Sequence, residues 1–142
     1  MPKRIVIDAS AVIATLLRES HATTIIKATA GVELISPTSL PYEITNALSA
    51  RMRRANTDLQ RLTPAQAKQA WELFTRAEIT LYPVDNAHHA NALAIAGAQG
   101  TYCYDAYLIV LAMTEGIPLL TMDKIQQRTA TAVGVQIVSL EG

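Results

Sequence analysis

Asp8, Glu43, Asp105 and Asp123 are the four acids whose settings suit chemistry. Asp8 interrupts an oily stretch, IVIDASAVIA, and Asp123 follows another, PLLTMD. Glu43 lies in SLPYEITNAL, bordering the apolar stripe of Leu40, Ile44 and Ala47, and Asp105 opens the apolar run DAYLIVLAMT. Carboxylates brought to one place repel each other and raise each other's pKa unless a cation joins them. The basic neighbour in sequence is Lys124, whose side chain need not point inward. A hard divalent cation is the natural solution. Mg²⁺ takes oxygen ligands, with Mn²⁺ as the alternative ion, and either can activate water and neutralise charge on a phosphate in transfer. Phosphodiester hydrolysis is the leading chemistry.

The elements that must carry these acids follow from apolar spacing and turn residues. Residues 4–8, RIVID, predict a buried strand, and Ser10 can cap a helix running to about Arg18. Ser20 can cap a second helix that Gly31 ends, and 33–36, ELIS, is a second strand. A long helix from about Leu40 to Arg54 precedes a polar connection over 55–62. Thr63, Pro64 and Gln66 form a helix start with a capping box. A strand over 79–84 and a helix from a cap at Asn86 to Ala96 come next, then an apolar helix over 105–114. Strands at 118–121 and 135–140 flank a short helix over about 124–131.

This alternation predicts one α/β domain over 1–142, a three-layer sandwich with a mainly parallel central sheet of about five strands. Open parallel sheets bind ligands beyond the carboxyl ends of their strands. Asp8 and Asp123 sit at such ends, and helices that follow strands begin there, so all four acids can converge on one rim. Plainer roles compete. Asp105 and Asp123 could each cap a helix, and Glu43 could be a surface acid. A capping box does not explain Glu43, because Leu40 stands three residues before it. Asp8 could accept hydrogen bonds from the turn it enters; unpaired at the end of a buried strand it would be costly.

Composition narrows the rest. Half of the 142 residues are hydrophobic, and 12 basic and 12 acidic residues cancel, so net charge selects no partner. One cysteine, Cys103, excludes an internal disulfide and fits a reducing compartment. No stretch has the form of a signal peptide or a membrane span, so the expectation is a cytoplasmic protein without a membrane partner. Arg51, Arg53 and Arg54, with Arg61 beyond, form the densest basic patch, which could contact RNA phosphates or an acidic protein segment, or simply favour the helix dipole. Adjacent His88 and His89 point about 100° apart on a helix and suit no shared metal. Trp71 and Phe74 read as core or interface, and Tyr102, Tyr104 and Tyr107 as packing around Asp105.

Taken together, IVIDASAVIA, PYEITNAL, YDAYLIVLA and LLTMD, in this order and spacing, resemble PIN-domain ribonucleases, specifically VapC-type toxins of type II toxin–antitoxin pairs. The resemblance covers essentially the whole chain and rests on the motifs jointly. It implies a PIN-like fold and a Mg²⁺- or Mn²⁺-dependent endoribonuclease that dimerises and is silenced by a cognate VapB-like antitoxin. It places Asp8, Glu43, Asp105 and Asp123 at the catalytic positions. Asp8 and Asp105 would be metal ligands, while Glu43 and Asp123 complete the site and position water. Ser10 and Thr121 match small polar positions that orient the acids, and Asn46 matches a polar position one turn after Glu43. Some members carry a further acid after the last aspartate; here Lys124, Ile125, Gln126 and Gln127 stand there, which favours one ion. A noncatalytic PIN-like module that only binds RNA or protein is the alternative, and has no need of all four acids. A phosphoacceptor receiver domain fits badly, because the first strand ends in a single acid.

Overall fold

Strand β1 (Arg4–Ile7) is buried on both faces, as the centre of a covered parallel sheet must be. The computed structural model describes residues 3–53 and 61–140. After β1 come α1 (Ala9–Leu16), α2 (Ala22–Thr29), β2 (Glu33–Pro37), α3 (Leu40–Met52) and α4 (Pro64–Thr75). They are followed by β3 (Ile79–Tyr82), α5 (Asn86–Gln99), α6 (Cys103–Glu115), β4 (Leu119–Leu120) and α7 (Lys124–Ala132). The strands pair in parallel in the order β3-β2-β1-β4, with Val6 opposite Ile35 on one side and Leu119 on the other.

Alternation along β1 divides the core. Ile5 and Ile7 pack with Ile13, Leu40, Ile44 and Phe74, on the face covered by the first four helices. Val6 points the other way, with Ile35, into Leu108, Ile109 and Ala112 of α6 and Ala130 of α7. The result is the expected three-layer sandwich with a parallel sheet.

The strand count is a correction: the expected sheet of about five strands has four among the described residues. Residues 135–140 contribute one parallel bridge, Ile137 to Leu119. The Leu119 N–H donates to the Gln136 carbonyl at 2.9 Å and the Val138 N–H to the Leu119 carbonyl at 3.0 Å. A ladder cannot outrun its partner, and β4 offers two residues.

Helix starts shift by a residue or two from expectation. Asp8, not Ser10, caps α1, and Asp85, not Asn86, caps α5. His21, rather than Ser20, holds the cap position of α2, with no side-chain capping bond. The capping box at Thr63 and Gln66 forms as expected. Helix α3 ends at Met52; Arg54 and residues 55–60 of the polar connection lie outside the described residues.

Candidate active site

Asp8 is held by every neighbour that can reach it. Its extended backbone at the end of β1 makes it the cap of α1, with Oδ1 accepting from the Ala11 N–H at 3.1 Å. The Ser10 hydroxyl donates to the same oxygen at 2.6 Å, and the Thr121 hydroxyl donates to Oδ2. Ser10 Oγ also accepts from the Met122 N–H at 2.9 Å, and Thr121 Oγ1 from the Asp123 N–H at 3.1 Å. These two hydroxyls bind the end of β1 to the segment after β4. The side chain of Asp8 is 6% exposed, and burial raises its pKa against the opposing pull of its hydrogen bonds. Asp123 adds a smaller upward push.

Glu43 lies in the first turn of α3, half-buried, where Oε2 accepts from Ser39 Oγ at 2.9 Å. Burial lifts its pKa to about 7, with Asp8 and Asp105 adding to the rise and Ser39 opposing it. Sequence reasoning gave Ser39 no site role. The capping-box rule looks three residues back, to Leu40, whereas the actual donor sits four back.

Asp105 occupies the first turn of α6 but does not cap it; Tyr102 holds the cap position without a side-chain bond. Its pKa is raised by burial first, then by Asp123 and Asp8. Asp123 is exposed and caps α7, with Oδ1 accepting from the N–H groups of Ile125 at 2.8 Å and Gln126 at 3.2 Å. The mutual repulsions run Asp8–Asp123, Asp8–Asp105, Glu43–Asp8, Glu43–Asp105 and Asp105–Asp123. All four acids therefore share one rim, at the carboxyl end of the sheet.

Among the described residues, no lysine, arginine or histidine forms an ion pair with any of the four. Nor do three acid, histidine or cysteine side chains there stand close enough to enclose an ion unaided. Carboxylate oxygens are nonetheless the donor type that hard divalent cations take.

Other expected site residues are placed as follows. Asn46 is exposed on α3. Arg51 pairs with Glu19 at 3.1 Å, and Arg53 donates to Ser49 Oγ. His88 closes the capping box of α5, while His89 Nδ1 meets the Tyr107 hydroxyl. Beside the rim, Thr38, Ser39, Tyr42, His89, Tyr104 and Tyr107 contribute to a groove of about 710 Å³.

A parallel α/β sandwich with acids at the carboxyl ends of its strands places them where such folds bind ligands. The chain matches the PIN domain family over residues 5–132, and belongs to it. No curated protein sequence matches it. Solved structures share the fold, among them these three. One is a Pyrobaculum aerophilum protein, 22% identical, with a TM-score of 0.61 over 89% of this chain and 78% of that one. The second is Mycobacterium tuberculosis VapC20, a sarcin-ricin loop cleaving toxin, 15% identical, with a TM-score of 0.66 over 94% and 98%. The third is VapBC2 from Rickettsia felis bound to a DNA fragment from their promoter, 8% identical, with a TM-score of 0.64 over 95% and 97%.

Proposed function

We propose that this chain is a metal-dependent endoribonuclease, acting as the toxin of a toxin–antitoxin pair. The observation that carries the reading is the buried Asp8 carboxylate, fixed by three hydrogen bonds and sharing its rim with three further acids, none of them ion-paired to a described basic side chain. Asp8 and Asp105 would hold Mg²⁺, or Mn²⁺ in its place. Oδ1 of Asp8 already accepts two bonds and Oδ2 one, so Oδ2 retains a lone pair for a cation. Held there, such an ion would supply a lowered water pKa and a countercharge for the scissile phosphate.

The chain's own residues do the rest. Ser10 and Thr121 keep the Asp8 carboxylate from turning. Ser39 occupies Oε2 of Glu43, which leaves Oε1 to orient water and accept its proton. The water oxygen bonds to phosphorus as the bond to the leaving ribose oxygen breaks, and that oxygen takes a proton from solvent. Asp123 completes the acid rim from the start of α7.

The partners proposed are an RNA substrate, a VapB-like antitoxin and a second copy of the chain, with action in the cytoplasm. The printed names of two neighbours, a sarcin-ricin loop cleaving toxin and a VapBC2 assembly, support the toxin reading and the VapB-like partner. Among the described residues no helix is long and apolar enough to cross a membrane. The test is RNA cleavage by purified, antitoxin-free protein with Mg²⁺, Mn²⁺ or EDTA. Cutting that requires the ion supports the reading; cutting that persists in EDTA sinks it.

A further inference from the structure

Gln126 is 1% exposed, an unusual depth for an amide side chain on a helix whose neighbouring Lys124, Ile125 and Arg128 are exposed. Its Nε2 donates to the Asp105 carbonyl at 2.8 Å, and its backbone N–H donates to Asp123 Oδ1 at 3.2 Å. One residue thus ties the first turn of α6 to the first turn of α7, through the two residues that carry the rim's later acids. Its Oε1 has no hydrogen-bond partner among the described residues. A buried orphan acceptor costs about 1–3 kcal/mol and calls for an explanation.

Stability does not supply one. The Asp105 carbonyl lies within α6, where the Ile109 N–H one turn on already serves it. An apolar side chain of similar size would remove the orphan oxygen and leave that carbonyl bonded. We propose that Gln126 is a positioning residue of the acid rim, which fixes the separation of Asp105 and Asp123 at some expense to stability. The inference rests on the metal-dependent reading above.

The test compares the parent with Gln126→Leu and Gln126→Met by thermal melting, by Mg²⁺ titration calorimetry without RNA, and by RNA cleavage. The expected result is a melting temperature at or above the parent's, with Mg²⁺ affinity weakened about tenfold, the low end of what losing support behind a metal ligand costs, the ligand here being Asp105 held through its main chain. The rate constant for cleavage falls and KM for RNA holds. A merely structural glutamine would give the reverse, a lower melting temperature with Mg²⁺ affinity unchanged, and that overturns the proposal. Failure of both variants to fold overturns it too, since the argument requires that they tolerate the change. A parent that neither binds Mg²⁺ nor cuts RNA brings down the underlying reading; variants that match an active parent bring down this inference alone.

Discussion

Thr121 carries no charge and is fully buried, yet its hydroxyl holds two acids at once, donating to Asp8 and accepting from the Asp123 N–H. Thr121→Val keeps the volume and removes both bonds, leaving a buried carboxylate short of a donor. We expect a loss of about 2 kcal/mol in denaturant unfolding at neutral pH, the range for hydrogen bonds to charged groups. A variant as stable as the parent would contradict this. Glu43 makes a pH-dependent prediction. Its folded pKa of about 7 lies above its ordinary 4.5, so between those values the native state holds more protons than the unfolded one. Stability contributed by this group therefore falls as pH rises through that window. Asp8 and Asp105, raised in the same direction, add to the slope. Metal-free protein should show a melting temperature that declines from about pH 4.5 to about 7, and Glu43→Gln should flatten part of the decline. A slope unchanged by the substitution would count against the sheltered position of Glu43. At this scale the resemblance pointed to Ser10 and Thr121 as partners of the acids, and both meet Asp8, but nothing in the sequence pointed to Ser39 beside Glu43. In Asp-Ala-Ser both Asp8 and Ser10 can cap a helix, and only the extended backbone at residue 8 decides between them. Capping and a place in the acid rim also coexist: Asp8 and Asp123 are helix caps and members of the rim together.

Elements were legible where local chemistry alone specifies them. The Thr63–Gln66 capping box is such a case: the Gln66 N–H donates to Thr63 Oγ1 at 3.1 Å and the Thr63 N–H donates to Gln66 Oε1 at 2.9 Å. Thr63→Ala should cost about 1 kcal/mol of stability. Because α4 contributes no residue to the acid rim, the same variant should leave Mg²⁺ affinity at the parent's value by calorimetry; weakened binding would show that the rim depends on α4. The segment 135–140 was not legible in this way. Its alternating pattern is strand-like, but the length of its ladder is set by β4, far away in sequence. The basic patch met a similar limit. That Arg51 is engaged by Glu19, rather than left open for a phosphate, depends on how the α1–α2 connection packs beside α3.

The whole molecule gathers four acids, drawn from the residue after β1, from α3, from α6 and from the segment after β4, at one end of a parallel sheet. The order of the elements fixes that convergence, which is why it could be anticipated from alternation alone. A carboxylate rim of this kind should be stabilised by a divalent cation. Mg²⁺ at about 100 times its dissociation constant should add about 2.7 kcal/mol to stability by mass action. Thermal melts across a Mg²⁺ series should show this as a rising melting temperature, and a flat series would contradict a cation site. The most direct test of the central claim is RNA cleavage by purified protein in Mg²⁺, with Asp8→Asn alongside. The account predicts that the parent cuts and that the variant, still folded by circular dichroism, does not. A folded Asp8→Asn protein that cuts RNA at the parent's rate would contradict it.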